Sequence, residues 1–131
     1  MNNWGTGLDH NSQIDMRMFA RNAGTTMTFQ PGSLIFKEGD NGNCVYVIQS
    51  GLIEIVTGEK VADVCGPNDA MGFMTVIDGG RHTASARVKE AAEISIMDER
   101  KFRFMIDEVP NFALYIMKAM AHRIRGMRDA M

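Results

Sequence analysis

The sequence is poor in most features that announce a specialised chain. It has two cysteines, Cys44 and Cys65, too few for a disulfide framework and at no spacing that suits a metal site or a redox pair. Both read as small core hydrophobes of a protein in a reducing, cytoplasmic compartment. Positive charge is not in surplus: 14 Lys and Arg stand against 16 Asp and Glu, so bulk nucleic-acid affinity is not expected. No apolar run approaches the roughly 18 residues of a membrane span, and no basic leader with an apolar stretch opens the chain. Neither a membrane location nor secretion is therefore expected. The three histidines, His10, His82 and His122, are far apart and share no metal-ligand spacing, and no Ser-His-Asp or Cys-His arrangement is legible. The expectation is a non-enzyme that requires no cofactor.

What is present is enough for one core. A chain of 131 residues, 45% hydrophobic and 23% charged, suits a single globular domain. Residues 1–13 are polar and without period, and read as a flexible N-terminus, so the domain is placed at 14–131. Ile14, Met18 and Phe19 fall at helical spacing before Gly24, which predicts a short lead-in helix. From about residue 25 to 98 the chain is a series of short β-prone runs separated by Gly, Asn, Asp and Pro, the pattern of an antiparallel sandwich or barrel. Strands are expected near 26–29, 33–36, 44–50, 52–56, 60–64, 83–88 and 92–98. Pro31-Gly32 suits a turn with positive φ at its third position, and Gly39-Asp40-Asn41-Gly42 can reverse the chain.

From about 99 to 131 the pattern is helical. Residues 99–108 predict a short helix ended by Val109-Pro110, because the residue before proline is pushed out of α geometry. A longer helix opens at Pro110 or Asn111. Within it Ala113, Met117, Met120, Ile124, Met127 and Met131 follow a three–four spacing, the seam of a coiled coil and the expected homodimer contact. The other reading of that seam is one wide face covering the domain's own barrel. A second stripe, Phe112, Tyr115, Ile116 and Ala119, is free to pack on the β core. Arg123, Arg125 and Arg128 read as favourable to the helix dipole and to solvent.

One stretch carries a resemblance. Residues 29–50, FQPGSLIFKEGDNGNCVYVIQS, followed by Gly51-Leu52-Ile53-Glu54-Ile55, resemble the opening strands of cyclic-nucleotide-binding domains. Gly66-Pro67-Asn68-Asp69, then Met71-Gly72-Phe73-Met74, then His82-Thr83-Ala84-Ser85 stand where that family has its phosphate-binding cassette. The final helices resemble those of short bacterial members that consist of this domain alone, and the likeness spans roughly residues 14–128. It implies a mainly β fold, a double-stranded β-helix (jelly roll or β-roll), with flanking N- and C-terminal helices. It further implies a regulatory module whose ligand is cAMP, cGMP or a relative, held by Gly72, Phe73, Met74, Arg81, His82 and Thr83.

A cyclic phosphate has one negative charge and two free oxygens, so its site calls for backbone N–H groups and a cation. Gly72 lets the backbone approach a ligand, and residues 73–77 are expected to form a short helix beyond it. The family has a glutamate directly after this glycine, for the ribose hydroxyl, and an arginine further on, for the phosphate. Here Phe73 and His82 stand in those places. Phenylalanine accepts no hydrogen bond, and a histidine with an ordinary pKa of about 6.5 is only partly charged near neutrality. Each lost charge-assisted bond costs about 1.5–3 kcal/mol. Were His82 to pair with the phosphate, affinity would rise as pH falls from about 8 to 6.

Two readings stay open. One is a working ligand sensor, in which Arg81 reaches the pocket only if a bulge re-aims it. The other is a degenerate domain that has lost its ligand and acts as a dimerising interaction module, with an unidentified partner protein. The long helix runs to Met131 with no further residues for a recognition helix, so direct DNA binding is not expected.

Overall fold

The computed structural model describes residues 14–129, and their side chains as far as residue 126. The expected flexible lead, residues 1–13, lies outside the described residues, as do Met131 and the side chain of Met127. The element order is α1 (Arg17–Ala23), β1 (Thr25–Phe29), β2 (Leu34–Phe36), β3 (Cys44–Thr57), β4 (Lys60–Cys65) and β5 (Ala70–Met71). It continues through α2 (Phe73–Asp78), β6 (Ser85–Asp98), α3 (Glu99–Glu108) and α4 (Phe112–Asp129).

Two 14-residue strands, β3 and β6, form the spine, paired antiparallel from Cys44↔Asp98 to Val56↔Ser85. Around them the sheet runs β1-β6-β3-β4, with β2 on β6 and β5 on β3. The expected pairs 44–50/52–56 and 83–88/92–98 are thus each one strand, and β5 is an extra short one. The Ser50-Gly51 signal marks a bend inside a strand rather than its end. Gly51 has φ +95, and a Cβ there would lie 2.4 Å from the Ala91 carbonyl oxygen, so only glycine admits the crossing. The β3–β6 register shifts between Ile48 and Ile53. Because side chains alternate, this slip switches which face of β3 looks inward. Ile48 points into the roll before the bend, and Ile53 and Ile55 point into it afterwards.

The core has two parts. Inside the roll, Ile48, Ile53, Ile55, Met71, Val88 and Ile94 are buried together. On the outer face of the spine, Val45, Val47 and Met97 meet Phe102, Phe112 and Ile116 from the helices. Each such buried side chain contributes about 1.5–3 kcal/mol.

The lead-in helix differs from its expected pattern. Ile14 is buried but lies before the helix, Met18 is 73% exposed, and Met16 and Ala20 are the residues that turn inward. The cause is a long-range tie: Asn68 accepts from the Met16 N–H (2.8 Å) and donates to the Ile14 carbonyl (2.7 Å), holding 14–16 outside the helix. Helix α3 spans the expected residues 99–108, with Asp98 as N-cap accepting from the Lys101 N–H. The Pro31-Gly32 turn forms with Gly32 at φ +88. In the other turn the reversal is at 37–40, closed by Asp40 N–H to the Lys37 carbonyl.

Helix α4 buries the second stripe, Phe112, Tyr115 and Ile116, against the domain. The three–four seam does not cover the chain's own barrel at Met117 or Ile124, which are 51% and 58% exposed.

Candidate functional site

The site is assembled at the turn where β5 ends. Gly72 has φ +77, and a Cβ on it would meet the Tyr46 ring at 2.9 Å and the Cys44 carbonyl oxygen at 3.1 Å. The chain then enters α2, anchored by the Thr75 hydroxyl, which donates to the Gly72 carbonyl at 2.9 Å. After α2, residues 79–84 return as a loop, since β6 begins only at Ser85 and not at the expected 83. That loop is pinned to the 37–42 turn. The Gly39 N–H donates to the His82 carbonyl, the His82 N–H donates to the Asp40 carbonyl, and Asn41 bridges Arg81.

Gly72, Phe73, Met74, Arg81, His82 and Thr83 all line one void of about 30 Å³, together with Phe36, Ile55, Thr75, Ala84 and Arg123. The void equals roughly one water's share of liquid volume, against about 300–1,000 Å³ for a small-molecule pocket. Phe73 fills the space: it is 1% exposed and packs in the cluster with Phe112, Tyr115 and Ile116. Met74 is exposed.

The cations are disposed differently from expectation. His82 is buried, and its ring stacks on Phe36 with centroids 3.9 Å apart and planes 11° from parallel. Burial pushes its pKa below the ordinary histidine value, against a smaller opposing pull from Asp40. Arg81 is exposed, and its guanidinium donates to the Gly39 carbonyl at 3.0 Å, stapling the turn.

Arg123 was not expected here. Its guanidinium carbon stands 5.8 Å from the centroid of the Phe73 ring, a cation–π contact. The signal in the sequence was periodicity: Arg123 is four residues past Ala119, on the same stripe as Phe112, Tyr115 and Ile116. Phe36, Ile55 and Thr75 were also unforeseen, since a fold must bring them to the cassette.

On the other side of Phe73 lies a larger cleft of about 410 Å³ between the 63–70 segment and α4, which Phe73 and Arg123 also line. Its walls include Asp63, Asp69, Lys118 and His122. Burial raises the Asp69 pKa, partly offset by the Gly66 N–H that its carboxylate accepts at 2.8 Å. Burial pushes the Cys65 thiol up to about 12, so it is inert at neutral pH. Tyr115 donates to the Asn68 carbonyl at 2.7 Å, so α4 and the N-terminal segment are tied to the same turn. Both cysteines are free, Cys65 buried and Cys44 half-buried. Among the described residues no cluster of His, Cys, Asp or Glu could hold a metal ion, and no helix is long and apolar enough to cross a membrane.

Comparison with known proteins agrees with this geometry. The family model of the cyclic nucleotide-binding domain matches residues 26–109. A CRP-like cAMP-activated global transcriptional regulator of Mycobacterium tuberculosis is 29% identical over 104 residues, covering 74% of this chain and 46% of the relative. The chain thus matches about half the length of that regulator. The crystal structure of Thermus thermophilus catabolite activator protein superposes with a TM-score of 0.76 at 23% identity, over 95% of this chain and 59% of the other. A structure from a cyclic-GMP-dependent signalling pathway of bacterial phytopathogenesis has a TM-score of 0.75 at 17% identity, over 84% of this chain and 92% of the other. Matched across most of its length by the family model, and with the jelly-roll fold of such domains, this chain belongs to the cyclic nucleotide-binding domain family.

Proposed function

We propose that this chain is a non-catalytic sensor that takes a cyclic nucleotide, or a ligand of the same phosphate chemistry, in the segment from Gly72 to Thr83 and relays its occupancy to α4. The observation that carries this reading is convergence. Six residues spread over twelve positions of sequence line one void, and the far wall of that void is an α4 side chain, Arg123. A void of about 30 Å³ admits no nucleotide, so occupancy requires a wall to move. Phe73 is buried in the core, and Arg123, half-buried on the last turns of α4, is the less enclosed wall. Binding and displacement of α4 are then one event. The free thiols suit a reducing, cytoplasmic setting. Calorimetric titration with cAMP and cGMP tests the reading. Saturable binding with altered amide exchange along α4 is expected, and no heat with either nucleotide at millimolar concentration overturns it.

A second reading is favoured by the outward face of α4. Met117 and Ile124 stand exposed along the three–four seam, an arrangement suited to a second copy of the chain, while Met120 of the same seam is half-buried against the domain's own core. Sedimentation of the wild type and of Ile124→Glu tests it. A dimer that dissociates in the variant supports the seam, and a monomeric wild type removes it.

A further inference from the structure

We infer that the cleft between the 63–70 segment and α4 is a second binding site, separate from the segment 72–83, for a small zwitterion with an apolar body: a molecule carrying one ammonium and one carboxylate, such as a free aromatic amino acid. The inference does not rest on the cyclic-nucleotide reading. At about 410 Å³ the cleft falls within the range of small-molecule pockets, about 300–1,000 Å³, whereas the void on the other side of Phe73 falls far below it.

The charges of the cleft are sorted by wall. The 63–70 segment contributes two carboxylates, Asp63 and Asp69, and α4 contributes the cationic side chains, with Lys118 and His122 one helical turn apart. The walls approach each other at Asp63 and His122, which stand 3.8 Å apart, beyond hydrogen-bond distance. Asp69 is held in place by the Gly66 N–H, which it accepts at 2.8 Å. Its pKa is raised by burial and by the neighbouring Asp63, and lowered by His122. A carboxylate beside a second carboxylate gains from a cation brought to the pair.

Between the walls the lining is apolar. Ile14, Ala70, Phe73 and Tyr115 line the cleft and are buried in the outer cluster, and Ala119 packs half-buried against them from α4. The Tyr115 hydroxyl already donates to the Asn68 carbonyl, and the Cys65 thiol stays protonated, so neither supplies a charge to a ligand. What is offered is an apolar surface between two opposed charges. A lone cation is repelled by the α4 wall and a lone anion by Asp63 and Asp69, whereas a zwitterion meets an opposite charge on both sides. A cyclic nucleotide, whose phosphate is anionic and which has no ammonium, is disfavoured here by the same rule.

The test is calorimetric titration of the full chain with L-phenylalanine, with phenethylamine and 3-phenylpropionate, each of which keeps one of its two charges, and with glycine, which lacks the ring. Saturable binding of L-phenylalanine is expected, roughly tenfold or more tighter than either single-charge analogue, as for one lost charge-assisted hydrogen bond. Glycine, without an apolar body, gives no saturable heat. Asp69→Asn, which keeps an acceptor for the Gly66 N–H, weakens L-phenylalanine by roughly tenfold but does not weaken 3-phenylpropionate. Lys118→Gln weakens L-phenylalanine but not phenethylamine. Absence of saturable L-phenylalanine binding to the wild type overturns the inference. So do equal affinities for the three ring compounds, which make the cleft an apolar groove only, and so does wild-type affinity in both Asp69→Asn and Lys118→Gln. The titrations with cAMP and cGMP address the other site, and their outcome is read separately.

Discussion

Phe73 has a void on each side, and the two differ more than tenfold in volume, about 30 Å³ against about 410 Å³. The small one is lined by the stacked Phe36–His82 pair with Phe73 and Ile55. The large one has Asp63, Asp69, Lys118 and His122 around it. The family-like turn at Gly72 is therefore folded shut, and the free space is displaced to the α4 side. One aromatic side chain, with the arginine over it, separates the two. The difference shows that the free space beside the Gly72 turn is set by the side chain that fills it and by the helix leaning on it.

The comparison breaks most directly at the partition. Phe73→Ala is expected to cost about 3–5 kcal/mol in urea denaturation, as for a large buried aromatic, and to join the two voids. A cost below about 1 kcal/mol would mean that the partition is not part of the core. Next in size is Gly72→Ala. It places an L residue at φ +77 against Tyr46, at an expected cost of about 1–3 kcal/mol, read by the same melt.

A third change concerns the closed side alone. His82 has a lowered pKa in the fold, so the unfolded chain binds its proton more readily and stability rises with pH. Its contribution is present above the ordinary histidine value of about 6.5 and is lost as pH falls through the folded value below it. Asp69 behaves oppositely: its raised pKa contributes stability that is full below about 3.8 and lost as pH rises through the higher folded value. Comparing His82→Gln with the wild type from pH 7 to 4 isolates the first. The difference in stability should shrink on acidification, and a constant difference would show that His82 is not held neutral. Smallest is Arg81→Ala, which removes one exposed hydrogen bond to Gly39. A loss of about 1 kcal/mol or less is expected, with cyclic-nucleotide affinity unchanged within about twofold.

Most element boundaries were legible because they rest on local chemistry. Asp98 caps α3, Pro110 ends it, and Gly32 meets the positive φ of its turn. The misread places share one cause, a tertiary contact stronger than the local signal. Gly51 looks like a turn in sequence but is a bend across which β3 keeps pairing with β6. Met18 looks inward by spacing but is exposed, because Asn68 holds residues 14–16 outside the helix. The six residues that the resemblance implied, from Gly72 to Thr83, line one void. Whether they bind a ligand is what the titrations decide.

The sequence by itself determined the class of the chain: a jelly roll and the helices that flank it. Those follow from hydrophobic period, turn residues and motif order, all of which act over a few residues. Only the tertiary structure decided which charges are available. Burial against Phe36 lowers the His82 pKa, Arg81 donates to a neighbouring turn, and Arg123 lines the same void from forty residues away. Charge state and reach depend on desolvation and on surfaces brought together across the chain, and no local pattern encodes them.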